Sequence, residues 1–280
     1  MVGAEGQLGQ ALVARLGPAV AWSGGRAALD VGDPAAVERV LAAARPDVIF
    51  NAAAWNAVDR AEAEVEAAFR VNAVAPAHLG RAARALGALL VHVSSDYVFD
   101  GRRRRAYVEG DRPAPLSIYG ASKAAGELSA AASASECLVV RTSGVFGQGG
   151  SRAKGGSFVE RILAKARAGE ALRVVDDQVF APTYAPDLAE ALLALVERGA
   201  RGLRHVANSG ACSWHGLARE ALRLAGIDAP VARVRAADLG LPARRPARSV
   251  LLSRSPDTPR LRPWEQALAE FLGAPPRGRA

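Results

Sequence analysis

Glycines stand at residues 3, 6 and 9, directly ahead of a helical pattern over 10–16. That spacing permits a tight turn, close approach of the backbone to a pyrophosphate, and close packing of the next helix. The helix N-terminus adds free N–H groups and the positive end of its dipole. Three glycines alone decide little; the order of elements after them decides more. Residues 19–22 can form a short strand. Asp33 and Pro34 read as an N-cap with proline at the first helical position, opening a helix to about residue 45. Residues 47–51 read as a buried strand, 62–86 as an Ala-rich helical stretch interrupted near Pro76, and 89–94 as the next strand. A loop over 95–117 leads to a helix carrying Tyr119, and 137–141 is another strand. Strands alternating with helices, without hairpin turns, predict an α/β fold: a doubly wound parallel sheet of the Rossmann type.

One feature conflicts with this pattern. The first strand of such a sheet is central and runs into the glycine turn, yet only Met1 and Val2 precede Gly3. The expectation is a truncated first strand, with about five apolar residues missing ahead of Met1.

Tyr119 and Lys123 are four residues apart, so in a helix both fall on one face. A phenol beside an ammonium is a candidate proton donor: the positive charge predicts a tyrosine pKa lowered from ~10 toward neutrality. An isolated pair at this spacing is more often two residues on a solvated face. Ser94 and Ser95 sit at the carboxyl end of a strand, where open parallel sheets place ligands. Their hydroxyls could hold a carbonyl oxygen or simply end the strand in a turn.

The chain resembles the extended short-chain dehydrogenase/reductases, and within them the dTDP-4-dehydrorhamnose reductase family. The matching stretches are GAEGQLG at 3–9, LDVGDP at 29–34, RPDVIFNAAA at 45–54, AVDRAE at 57–62 and VNA at 71–73. SSDYVFDG at 94–101, YGASK at 119–123, RTS at 141–143, DQ at 177–178, APT at 181–183, CSW at 212–214 and RPARS at 245–249 continue the series.

The resemblance implies reduction of the 4-keto group of a nucleotide-linked 6-deoxysugar, dTDP-4-dehydro-L-rhamnose to dTDP-L-rhamnose. It implies that Tyr119 is the acid, that Lys123 is its electrostatic partner and a ribose contact, and that Ser95, where the family has threonine, holds the keto oxygen. Asp96 and Arg245 would lie at the substrate. Gly6, Gln7 and Leu8 would hold the pyrophosphate, with Gly3 and Gly9 in the same cofactor-binding turn; Asp30 and Val31 would flank the adenine, and Ala54, Trp55 and Asn56 would line the cofactor cleft. Trp55 and Asn56 depart from the family's usual residues. So does Gly144, where the family usually carries a tryptophan that packs on the deoxysugar. Two other readings stay open: another 4-ketosugar reductase of a deoxysugar pathway, and a non-catalytic regulatory subunit of the same fold.

After the second strand, residues 23–26 offer no acid for a ribose 2′-hydroxyl, and Arg26 could meet a 2′-phosphate. NADPH is the expected cofactor, with NADH the alternative. The expected division is a Rossmann domain over 1–145 with returns from about 170–200, a substrate-binding domain over 146–273, and a disordered tail over 274–280. Trp214 is expected in the core.

Net charge is +8, but the arginines are scattered and aromatic residues make up only 5% of the chain, which argues against nucleic acid. The run Arg102 to Arg105 reads as a solvated loop or as steering for a diphosphate. No apolar run approaches the ~20 residues of a membrane span, and no secretory signal is expected at the start. Cys137 and Cys212 match no metal spacing, and no metal site is expected. A reduced, cytoplasmic protein is the expectation. The partner expected is a dTDP-linked 4-keto-6-deoxysugar, with neither nucleic acid nor membrane; a homodimer remains open.

Overall fold

The computed structural model describes residues 1–149 and 156–274; apart from Ala274, the tail expected to be disordered lies outside the described residues. In chain order the first half contains α1 (Gln7–Leu16), α2 (Pro34–Ala44), β1 (Val48–Asn51), α3 (Val58–Ala63), α4 (Val65–Phe69), α5 (Ala75–Leu86), β2 (Leu89–Ser95), α6 (Ile118–Ser133) and β3 (Glu136–Thr142). The second half contains β4 (Val145–Phe146), α7 (Phe158–Arg167), β5 (Leu172–Val175), β6 (Val179–Phe180), β7 (Thr183–Tyr184), α8 (Ala185–Glu197), β8 (Gly202–His205), β9 (Cys212–Ser213), α9 (Trp214–Leu224), β10 (Val231–Val234) and α10 (Trp264–Phe271).

The main sheet has the order β1–β2–β3–β8, all parallel. Val2 bridges in parallel to Asn51 on one side and to Gly24 on the other. The chain start therefore lies between β1 and residue 24, in the position expected of the first strand. Its ladder is short: Val2 N–H donates to the Phe50 carbonyl, Ala52 N–H to the Val2 carbonyl, and Gly24 N–H to the Met1 carbonyl. The short strand expected over 19–22 is not formed; a 3-10 turn covers Gly17–Ala19 and only Gly24 bridges. A partner three residues long cannot sustain a longer ladder. The break expected near Pro76 falls earlier, at Glu64 and in a wide turn over Arg70–Val74, and Pro76 sits in the first turn of α5, where its missing N–H costs nothing.

Alternation along the strands explains the two packed faces. Phe50, Leu89, Val91, Leu138 and Val140 bury against Leu8 and Leu12 of α1 and Leu188, Leu192 and Leu195 of α8. Ile49 and Leu90 point the other way, against Val37 and Leu41 of α2, Leu79 and Ala83 of α5, and Ala130 of α6. A third cluster joins Phe146, Ile162 and Leu163 of α7, Leu172 and Val174 of β5, Phe180, Leu217 and Leu222 of α9, and Leu268 of α10. The chain reaches it from the carboxyl ends of β3 and β8. No helix among the described residues is long and apolar enough to cross a membrane.

Candidate active site

The glycine turn is built as its spacing predicts. Gly3 has φ +81°, and a Cβ there would stand 2.5 Å from Ala53 N; a Cβ at Gly9 would collide with the Gly3 carbonyl. Those two glycines are needed for packing. At Gly6 a Cβ would meet only the Gly3 carbonyl, at 3.5 Å. Gly6 is also the N-cap of α1, and no side chain caps that helix. Its first N–H groups thus open onto a cleft, a cradle suited to a pyrophosphate.

Two clefts meet at Gly6, Ala52, Ala54 and Asn56. The smaller, about 230 Å³, is lined by Gly3, Arg26, Asp30, Val31, Trp55 and Arg70, among others. Arg70 pairs with Asp30 at 2.6 Å, and the Asp30 carboxylate also accepts from Gly32 N–H; these bonds hold its pKa below the usual range. The larger cleft, about 360 Å³, contains Gln7, Leu8, Gly9, Ser95, Asp96, Tyr119 and Lys123. Every residue expected at the cofactor therefore lines one cleft or the other. Asn72 fixes the loop between them: its side chain accepts from Trp55 N–H at 2.8 Å and donates to the Trp55 carbonyl and to Ser122 Oγ, each at 3.0 Å.

The motif on α6 is set by its cap. Ser117 Oγ accepts from Gly120 N–H at 3.1 Å, which puts Tyr119 in the first turn and Lys123 one turn on. Ser95, at the end of β2, lies within hydrogen-bonding reach of the Tyr119 phenol. The expected lowering of the tyrosine pKa is not present. Burial pushes the Tyr119 phenol up to about 12, the Asp96 charge adds to this, and only the Ser95 bond opposes it. Lys123 Nζ donates to the Val93 carbonyl at 2.7 Å, and burial pulls its own pKa down to about 8. A lysine this buried, 2% exposed, is held in place rather than solvated.

Asp96 is enclosed by three hydroxyls: Ser95 donates to Oδ1 at 3.1 Å, and Ser143 and Ser249 donate to Oδ2 at 2.8 and 2.5 Å. Burial nevertheless raises its pKa to about 6. Glu127, one turn beyond Lys123, accepts from Arg141 at 2.8 and 2.6 Å and from Ser94 Oγ at 2.6 Å, which pins α6 to β2 and β3.

Arg245 stands apart from the larger cleft. It lines an adjoining groove of about 830 Å³ together with Arg60, Arg161 and Arg244, and its guanidinium is held by Asp59 at 3.1 and 2.7 Å. Arg102, Arg103 and Arg105 pair with Asp100 and Asp111 of their own loop.

Three residues that sequence reasoning left without a role line the larger cleft. Thr142 Oγ1 is buried there without a hydrogen-bond partner. Trp214, expected in the core, is half-buried: it packs on the third core cluster and also lines the larger cleft and the groove. Phe180 closes the same wall. The arginine of RTS and the tryptophan of CSW marked these segments, but nothing in the sequence brought Phe180 to them. Among the described residues no cluster of His, Cys, Asp and Glu could hold a metal.

A family model described as the RmlD substrate binding domain matches residues 1–275. A dTDP-4-dehydrorhamnose reductase of Mycobacterium tuberculosis is 42% identical to this chain, covering 98% of it and 92% of the relative. A Streptomyces antibioticus protein described as a probable dTDP-4,6-dihydroxy-2-methyloxan-3-one 4-ketoreductase is 40% identical, covering 96% and 92%. The crystal structure of dTDP-4-dehydrorhamnose reductase from Bacillus anthracis in complex with NADP superposes with a TM-score of 0.92 at 34% identity, covering 96% of each chain.

Proposed function

The chain belongs to the RmlD family, and on that premise we propose that it is an NADPH-dependent reductase of a dTDP-linked 4-keto-6-deoxysugar, with dTDP-4-dehydro-L-rhamnose as substrate and dTDP-L-rhamnose as product. The observation that carries this reading is the cleft lined together by Ser95, Tyr119, Lys123 and the uncapped start of α1. A bound reduced nicotinamide supplies the hydride to the 4-keto carbon. The residues of the chain bind, orient and move the proton.

Ser95 and Tyr119 converge on the space where a keto oxygen would sit. Tyr119 carries its proton at every working pH, because burial holds the phenol at about 12. It donates that proton as charge develops on the oxygen. The buried Lys123 charge also favours the moment at which negative charge appears. Ser95 donates its hydrogen to Asp96 in this structure and would turn it to the keto oxygen once substrate is bound.

Arg26 and Arg70 in the smaller cleft suit a 2′-phosphate and support NADPH over NADH. The arginine-lined groove beside the larger cleft suits the diphosphate of the sugar nucleotide. On this reading residues 1–145 bind the cofactor, the third core cluster carries the substrate-binding part, and the protein works in the cytoplasm. A second reading, a different 4-ketosugar as substrate, is favoured by Gly144 and by the likeness to the Streptomyces antibioticus relative. NADPH oxidation measured with a panel of dTDP-4-ketosugars tests both. Highest efficiency with the rhamnose precursor is expected. Oxidation with none of them, by protein that binds NADPH, would refute the reductase reading.

A further inference from the structure

Gly144 lies just beyond β3 with φ +50°, and a Cβ built on it would collide with Cε2 and Cδ2 of Phe180. The space above residue 144 is therefore filled, and it is filled by a ring that comes from β6, 36 residues further along the chain. Phe180 is 4% exposed and lines the larger cleft, so a small part of its ring meets that cleft and the rest lies against protein. Trp214 packs on it with ring centroids 4.1 Å apart and an interplanar angle of 32°. Phe158 holds Trp214 from another side at 4.8 Å and 60°. The antiparallel pairing of β6 with β9, Phe180 opposite Cys212, fixes the register of this contact.

The cleft is thus two-sided. One side carries Ser95, Tyr119 and Lys123, the proton-handling groups. The other is the aromatic group Phe180, Trp214 and Phe158, flanked by Gln178 and Arg161. A 6-deoxysugar has an apolar C–H face and a methyl group where other hexoses have a hydroxyl. Aromatic faces and edges suit those surfaces and leave a hydroxyl unpaired. We propose that Phe180 is a specificity-determining residue: it occupies the space over Gly144, seats Trp214, and so sets the depth of the subsite that accepts the deoxy face of the sugar. This rests on the 4-ketosugar reductase reading. It goes beyond that reading by assigning sugar discrimination to Phe180 and not to residue 144.

The test compares efficiency, kcat/KM, for two dTDP-4-keto-6-deoxysugars that differ in configuration at C-5, together with NADPH affinity and Tm. Phe180→Leu is the mild variant, Phe180→Ala the severe one. The ratio of efficiencies should change by ~10-fold, the scale of an altered apolar pocket contact, mainly through KM. NADPH affinity should stay within about twofold, since Phe180 is none of the residues placed at the cofactor. Gly144→Trp alone should lower Tm and activity, because the ring of Phe180 blocks it. Gly144→Trp with Phe180→Gly should recover part of the lost activity with an altered ratio, while Tm stays below wild type because φ +50° strains any side chain at 144. An unchanged ratio in Phe180→Leu that still binds NADPH and reduces both sugars would overturn the assignment. So would a Gly144→Trp single variant as stable and active as wild type. Wild-type protein that binds NADPH and reduces neither sugar would instead sink the reductase reading itself, and this assignment with it.

Discussion

Tyr119 keeps its proton because it is buried, and that reverses what its spacing from Lys123 suggests. A charge one turn away would lower the phenol pKa, but burial decides here and puts it at about 12. Burial is a tertiary property, so this sign was not legible in the Tyr-x-x-x-Lys spacing, although the pair's place in one cleft was. Tyr119→Phe should fold normally, bind NADPH as wild type does, and lose at least the ~10² in turnover typical of a general acid. Wild-type turnover in that folded variant would contradict the proton role. Asp96 gives a second test, through pH. Its folded pKa, about 6, lies above the ordinary 3.8, so the native state holds a proton that the unfolded chain releases. That contribution to stability is present below about pH 4 and is lost as pH rises through 6. Asp96→Asn should therefore gain in Tm relative to wild type between pH 4 and 7. A constant difference across that range would show that Asp96 is not titrating there.

Elements are legible in the sequence where their signals are local. Asp33 caps α2 by accepting from Ala35 and Ala36 N–H at 3.0 and 3.2 Å, and Ser213 caps α9 by accepting from Gly216 N–H at 3.0 Å. Both are visible as Asx and Ser positions ahead of apolar periodicity. The strand over 19–22 fails because a strand needs a partner, and Met1 to Gly3 provide only bridges at Val2. The loop over 52–57 likewise takes its shape from a distant residue. Asn72 satisfies both the N–H and the carbonyl of Trp55, and Asn72→Ala would leave them unpaired. A buried unpaired backbone group costs about 1–3 kcal/mol. Asn72→Ala is expected to lower urea-unfolding stability by roughly that amount and to weaken NADPH binding. Retained affinity would mean that the loop holds its shape without Asn72.

At the scale of the molecule, the sheet with helices on both faces and the clefts at the carboxyl ends of its strands follow from strand–helix alternation and the glycine turn. The arrangement over those clefts does not. Arg245 meets Asp59 across 186 residues of sequence, and Phe180 meets Gly144 where β4 pairs with β7 and Thr183 N–H donates to the Gly144 carbonyl. Such contacts come from how the third core cluster packs, which no local pattern records. The aromatic wall was therefore invisible, and nothing around Gly144 in the sequence showed that Phe180 fills the space above it. The central claim is that this cleft delivers hydride to C-4 of a dTDP-linked sugar while Tyr119 supplies the proton. The most direct measurement uses NADPH carrying deuterium at the transferable position, with dTDP-4-dehydro-L-rhamnose as acceptor, and locates the label in the product by mass spectrometry and NMR. Deuterium at C-4 of dTDP-L-rhamnose, formed in step with NADPH oxidation, is the predicted result. Oxidation of the cofactor with no label at C-4, or no reaction by folded protein that binds NADPH, would contradict it.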